Sequence, residues 1–415
     1  MITEIISIGT ELLLGDIIDS NANFIAQELT AIGFDIHYIS TTGDNFRRMK
    51  EVLKIASERS DILITTGGLG PTDDDLTREA ISEVSKKKLI LNNENKLEIE
   101  NYFKDKNYRM VKSNYKQAYF PEGSEALSNN RGTAPGIWLD DGKNIYISLP
   151  GVPEEMKYMF KNEVLTRLKN IQDKNIKSKI LHLFGIGESD LENKIHDLLI
   201  KQSNPTFALL AGRGEVNIRI TASGKNIDEI NEDINNAEEE LSSRIGKYIY
   251  GTDNDDFPRV IGNLLEKKEM SISVAESCTG GLLGSRFTSI PGSSYYFKGG
   301  VIAYSNKVKE EVLSVNSKIL RKYGAVSEET AIAMARGVKK LLKTDLGISI
   351  TGIAGPGGGT VSKSVGLVYI ALSTSNDSYV YKLKLGGGRD WNQWMSSQYA
   401  FNYILNYLNQ REEKK

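Results

Sequence analysis

At 415 residues, with 26% charged and 40% hydrophobic side chains, the chain reads as a globular protein of two or three domains, too long for a single core. A formal net charge of −2 without a basic stripe argues against a nucleic-acid footprint, and one cysteine excludes a disulfide framework or a multi-cysteine zinc site. Met1-Ile2-Thr3-Glu4 carries no basic leader and no apolar run reaches ~18 residues, so no membrane association is expected and the expected compartment is the cytoplasm.

Through the first ~170 residues, short β-branched runs (4–9, 35–40, 61–66, 144–149) alternate with amphipathic helical stretches (21–32, 47–59, 76–85). This alternation predicts βαβ units, a parallel sheet and ligands at the C-terminal strand ends. Pro150-Gly151-Val152-Pro153 breaks the chain before a helix over 154–168. A polar Lys/Asn-rich linker follows at 171–178. The next module is a small α+β unit: strand 179–184, helix 190–202, strand 215–222 and an acidic helix 227–246, whose charge reads as a solvated face. Gly251–Asp255 marks a second boundary, and a third α/β unit rich in glycine loops runs to a charged, frayed tail at 411–415.

One pattern occurs twice. Thr66-Gly67-Gly68-Leu69-Gly70-Pro71 follows the strand near 61–65, and Thr351-Gly352-Ile353-Ala354-Gly355-Pro356 follows a strand at 346–350. Such loops let backbone N–H groups approach a phosphate, although plain strand-to-helix turns use the same residues. Neither is a Walker loop. The first continues into Asp73-Asp74-Asp75, more carboxylates than helix capping requires. Asp74 and Asp75, with Asp44 at another strand end, are candidate ligands for Mg²⁺ or a similar divalent ion bridging a pyrophosphate.

Val274-Ala275-Glu276-Ser277-Cys278-Thr279-Gly280-Gly281 carries the sharpest chemical constraint. No histidine follows His196, so a hydroxyl nucleophile here needs a lysine, tyrosine or carboxylate as its base. Ser277 and Thr279 also suit a helix cap near Gly280. Cys278 has no histidine to form its thiolate and reads as a small buried residue.

The segments 9–23, 66–77, 149–156 and 275–281 together resemble the CinA (competence/damage-inducible) family over essentially the whole length. The resemblance implies an α/β protein of three parts: a parallel-sheet, molybdopterin-binding-like domain (1–171) associated with metal-dependent ADP-ribose pyrophosphatase activity, a small α+β KH-type domain (172–252), and an α/β nicotinamide mononucleotide (NMN) deamidase domain (253–415). The deamidase pattern falls on Ser277, Ser294, Tyr304 and Lys309 as catalytic candidates, on the loop 351–359 and on Arg389. Either serine suits the nucleophile, Lys309 the base and Tyr304 a proton relay or oxyanion donor. Ser294 also suits the cap of a helix beginning at Tyr295. Backbone N–H groups around Cys278–Gly281, at the helix N-terminus, would complete an oxyanion hole, with Thr279, Gly280 and Gly281 among the substrate-binding residues. Thr351, Gly352, Gly355 and Gly357 with Arg389 would hold the mononucleotide, and Gly67, Gly68 and Gly70 the N-terminal ligand. No cofactor is implied for deamidation, and a divalent metal is implied for the N-terminal site. The alternative for that site is a binding module that holds a pterin or nucleotide without hydrolysing it. Two departures stand out: Lys363-Ser364-Val365-Gly366 where Lys-Pro-Val-Gly is usual, and Gln393 where a second arginine is common. The central module has only Gly212-Arg213-Gly214 in place of a basic Gly-x-x-Gly, so a spacer or dimerisation role and a homodimer are expected rather than RNA binding.

Overall fold

In a computed structural model of the chain, residues 1–171 and 175–410 are described. The chain clusters into two compact units, Met1–Ser178 with Thr221–Asn235, and Lys179–Ile220 with Asn236–Lys415. Parts of the expected linker (172–174) and the tail 411–415 lie outside the described residues.

The first unit is built on strands β1 (Ile2–Ile8), β2 (Asp35–Thr42), β3 (Ile62–Thr66), β4 (Leu89–Leu91), β5 (Tyr119–Pro121), β6 (Glu125–Leu127), β7 (Gly136–Asp140) and β8 (Ile145–Leu149). Six of them form one sheet in the order β2-β1-β3-β8-β7-β6. The first four are mutually parallel, and β3 is buried along its whole length, as the unbroken run Ile-Leu-Ile-Thr-Thr requires of a strand covered on both faces. The parallel sheet expected from the alternation gains an antiparallel edge, β7 and β6, through the hairpin at Asp141–Asn144. The helix expected at 154–168 begins at Pro153 and runs to Asn170 through a π turn at Phe160–Val164.

The central module adds β9 (Asn175–Leu183), β10 (Thr206–Ala211), β11 (Val216–Gly224) and β12 (Ile249–Thr252), in the order β10-β11-β9-β12. β10 and β12 were not anticipated: Thr-Phe-Ala-Leu-Leu-Ala carries no alternation, and Ile-Tyr-Gly-Thr is short.

The C-terminal domain carries β13 (Ile272–Glu276), β14 (Phe297–Ile302), β15 (Leu346–Gly352), β16 (Leu367–Ser373) and β17 (Ser378–Lys384), in the order β14-β13-β15-β16-β17. β14, β13 and β15 run parallel and β16 and β17 antiparallel. The helix Phe257–Lys267 and the long helix Arg389–Gln410 supply much of the core around Phe257, Phe287 and Phe401. No α-helix begins at Tyr295. Ser293–Tyr295 is a single 3₁₀ turn leading into β14, a strand hidden in the sequence by Lys298-Gly299-Gly300.

Candidate functional site

The chemistry-bearing residues of the C-terminal domain hang from the C-terminal ends of its three parallel strands. The Ser277 amide donates to the Ile350 carbonyl (2.9 Å), and the Ala303 amide donates to the Glu276 carbonyl (2.7 Å), so the strand pairing continues one residue past each end. Beyond Ala303 the chain turns into the short helix Asn306–Glu311, capped by the Ser305 hydroxyl, and Lys309 is its one buried residue. Lys309 is buried, 0% exposed, and the backbone around it, Ala303 and Val308, belongs to or packs on an apolar cluster with Ala275, Leu313 and Val315.

Its Nζ lies 3.1 Å from Ser277 Oγ, 2.6 Å from the Ala303 carbonyl and 3.4 Å from the Tyr304 carbonyl. Among the described residues no carboxylate pairs with it, and burial pulls its pKa from 10.5 down to about 8. The buried Cys278 thiol next to the serine is pushed up to about 12, also by burial, and stays protonated.

A cleft of about 260 Å³ opens over this pair. It is lined by Ser277, Lys309, Tyr304, Thr351, Gly352, Gly355, Gly357 and Arg389, among others. Eight of the sequence-selected residues thus face one space. Tyr304 is 64% exposed and lines the cleft. Thr351 spends its hydroxyl on the Ala325 carbonyl (2.7 Å). Arg389 donates to the Gly355 carbonyl (2.9 Å) from the first turn of the C-terminal helix.

Ser294 is not brought to the cleft. It sits exposed in the 3₁₀ turn, where its carbonyl accepts from Lys298 Nζ (3.0 Å). Thr279, Gly280 and Gly281 form the turn behind Cys278 and do not line the cleft. The helix N-terminus expected to receive the oxyanion is already filled: the buried Glu276 carboxylate accepts from the amides of Gly281 (3.1 Å), Leu283 (3.0 Å) and Gly284 (2.8 Å). The Gly280 amide donates to the Ser277 carbonyl, and among the described residues only the amides of Cys278 and Thr279 in this turn have no acceptor.

Three residues to which the sequence reading gave no role hold these loops. Asn392, fully buried, donates to the carbonyls of Ala354 and Gly387 (2.9 Å each). Gln393 donates to the Cys278 carbonyl (2.8 Å), so the residue standing in the place of an arginine tethers the serine-bearing turn. Glu276 caps the following helix. A carboxylate a few residues before a helix was the available signal for Glu276; no local signal marks the other two.

In the first unit, Gly67 closes the end of β3 where any Cβ would strike the Ile8 carbonyl. Gly68 and Gly70 continue the loop, packed against Thr77 and Asp75. The aspartates do not converge. Asp75 accepts from the Thr72 amide (2.9 Å) and the Thr72 hydroxyl, Asp74 is exposed in the same turn, and Asp44 accepts from the Thr10 amide (2.8 Å) and hydroxyl (2.9 Å). Lys116 Nζ donates to the carbonyls of Thr72 (3.0 Å) and Asp75 (2.5 Å). Among the described residues no three His, Cys, Asp or Glu side chains are grouped to hold a metal, so these residues do not present a formed cation site. No described helix is long and apolar enough to cross a membrane.

Comparison with known proteins agrees along the whole chain. Residues 4–170 match the probable molybdopterin binding domain, 178–251 the damage-inducible protein CinA KH domain and 254–408 the CinA C-terminal domain. A putative competence-damage inducible protein of Halothermothrix orenii is 52% identical over 409 residues, covering 98% of this chain and 99% of its own. One from Caldanaerobacter subterraneus is 46% identical, with 99% of each chain covered. The crystal structure of competence/damage inducible protein CihA from Agrobacterium tumefaciens is 35% identical, covering 37% of this chain and 93% of that one with a TM-score of 0.36. With a full-length relative at 52% identity and all three domain models matched in order, the chain belongs to the CinA family.

Proposed function

We propose that the C-terminal domain is an amidohydrolase that converts NMN to nicotinate mononucleotide and ammonia, with Ser277 as nucleophile and Lys309 as base. The observation that carries this reading is a lysine amine, buried and lacking a carboxylate partner, 3.1 Å from a serine hydroxyl at the floor of a cleft. A neutral Lys309 takes the Ser277 proton as Oγ attacks the amide carbon. The oxyanion accepts from the amide of Cys278, which lines the cleft beside Ser277. Collapse returns the proton from Lys309 to the leaving nitrogen, which departs as ammonia and leaves an ester on Ser277. Water, deprotonated by the same amine, attacks that ester and releases the carboxylate. Tyr304 also lines the cleft, and Arg389 with the backbone of Gly355, Gly357 and Gly358 supplies groups suited to the phosphate. Ser294, away from the cleft, is left without a step in this subunit. The test is ammonia release and product identity on incubating the full chain with NMN. An inactive wild-type chain, or an active Ser277→Ala variant, overturns the reading.

For the N-terminal domain, a metal-dependent ADP-ribose pyrophosphatase rests on resemblance alone. The prior engagement of Asp44 by Thr10 and of Asp75 by Thr72 favours the alternative, a domain that binds a phosphate-bearing pterin or nucleotide without hydrolysing it. Calorimetric binding of ADP-ribose with no turnover at any Mg²⁺ or Mn²⁺ concentration supports binding alone. Metal-dependent release of AMP restores the hydrolase.

A further inference from the structure

The central module meets the C-terminal domain, within the second unit, at the turn between β10 and β11. The turn is Gly212-Arg213-Gly214-Glu215, the segment standing where a nucleic-acid-binding loop was sought. The Arg213 carbonyl accepts from Trp394 Nε1 (2.6 Å), and the Arg213 guanidinium stacks over the same indole (4.7 Å). Gly214 lies so close to Met395 that a Cβ would strike its sulfur. Glu215 Oε2 accepts from the Tyr250 hydroxyl (2.7 Å) and from Gln398 Nε2 (3.3 Å). Gln398 Oε1 in turn accepts from Arg286, whose guanidinium lies over Trp394 (4.2 Å).

Every one of these helix contacts falls on one side of the first turns of Arg389–Gln410. At 100° per residue, positions 391, 394, 395 and 398 share a face, and positions 389, 392 and 393 lie on the face opposite. That opposite face is the one that holds the cleft: Arg389 to the Gly355 carbonyl, Asn392 to the Ala354 carbonyl and Gln393 to the Cys278 carbonyl. The same two turns of helix are therefore clamped between the hairpin and the serine-bearing loops. A tilt of the helix on one side is a displacement of the Ser277 turn on the other.

We propose that the hairpin Gly212–Glu215 is a positioning element of the Ser277–Lys309 site, acting through Trp394 and Gln398 on one face of the C-terminal helix and Gln393 on the other. The effect on catalysis rests on the amidohydrolase reading; the effect on the Ser277 turn does not. None of these hairpin residues lines the cleft, so their contribution is to the geometry of the nucleophile, where a misplacement of about 1 Å can cost roughly a hundredfold in rate.

The experiment uses the full chain with Glu215→Ala, Trp394→Phe and the conservative Glu215→Gln, which keeps an acceptor for Tyr250 and Gln398. Hydrogen exchange is read by mass spectrometry on the peptide spanning 277–284 and on a control peptide from β15, alongside kcat and KM for NMN. In Glu215→Ala and Trp394→Phe, exchange in 277–284 should accelerate with β15 unchanged. In the same two variants kcat should fall roughly ten- to a hundredfold with a smaller change in KM, while Glu215→Gln stays at the wild-type values. Unchanged exchange at 277–284, acceleration spread evenly to β15, or an unchanged kcat in a chain that deamidates NMN overturns the proposal. If the wild-type chain releases no ammonia, the amidohydrolase reading falls and the exchange results alone decide the hairpin's role.

Discussion

Replacing Lys309 by methionine should remove activity and at the same time flatten part of the protein's pH–stability curve. Methionine keeps the length of the side chain and discards the charge. Lysine ordinarily titrates at 10.5, and burial brings Lys309 to about 8. Below pH 8 the amine is protonated in both folded and unfolded chains, so the folded state carries the whole cost of an enclosed cation. Between about 8 and 10.5 the unfolded chain binds more protons than the folded one, so stability rises with pH. Above 10.5 both are neutral and the slope from this group disappears. At about 1.4 kcal/mol per pH unit, this interval corresponds to about 3 kcal/mol.

The variant also leaves the Ala303 and Tyr304 carbonyls without their donor, at about 1–3 kcal/mol for a buried acceptor, but that loss does not depend on pH. The slope is therefore the diagnostic, and the absolute level is not. Denaturant unfolding can be followed in a Trp138→Phe background, where the remaining tryptophans, Trp391 and Trp394, both belong to the second unit. The wild-type stability minus that of Lys309→Met should rise by about 3 kcal/mol between pH 7 and pH 10.5. A difference that stays flat across that range would refute the claim that this amine is held neutral by burial.

The kinetic counterpart is kcat for NMN rising with pH along a limb centred near 8, because the free amine is the active form; a limb near 10.5 contradicts it. Ser277→Ala and Lys309→Ala should each cost several orders of magnitude, with the double variant little worse, since a nucleophile and its base fail together; additive losses in kcat speak against the pair. Cys278→Ala should retain most activity, and the native thiol should resist iodoacetamide at pH 8, because burial holds it at about 12. Gln393→Ala combined with Trp394→Phe should be no slower than Gln393→Ala alone, since both act through the Cys278 carbonyl; multiplied losses from double-mutant kinetics separate their routes.

How much of this was legible in the sequence depended on the reach of each interaction. Parallel strands such as β1, β3 and β15 announce themselves through short β-branched runs ended by glycine, and the absence of histidine after His196 restricts the choice of base. What escaped was long-range or misread locally. Gln393 and the carbonyl it holds are 115 positions apart, and Glu215 and Gln398 are 183 apart, so no spacing rule connects them. The aspartates after Gly70 suggested a cation by their number, but the Thr72 amide and hydroxyl turn Asp75 inward on its own loop, a side-chain competition that composition does not reveal. Glycines 280 and 281 suggested an anion-binding helix start, and the residue that fills it, Glu276, stood within the same motif. Its carboxylate enters the sheet end fully buried because three amides receive it there.

On the proposed amidohydrolase reading, the arrangement around Lys309 accounts for a lysine serving where many hydrolases use an imidazole. An ammonium offers three N–H donors; a neutral amine offers two and one lone pair. The Ala303 and Tyr304 carbonyls lie at 2.6 and 3.4 Å to take two donors, and the third direction points to Ser277 Oγ at 3.1 Å. Protonation therefore changes only the sense of that third bond: the neutral amine accepts the serine proton, and the ammonium returns it to the departing nitrogen. Neither step asks the side chain to turn, because the carbonyls hold the nitrogen in both states. The enclosure that lowers the amine's pKa is the same enclosure that destabilises the fold below pH 8, so the activity limb must be centred where the stability slope begins, near 8, the slope then running on to about 10.5. If the rate rises near 8 while the stability slope begins at a different pH, the base is a group other than Lys309.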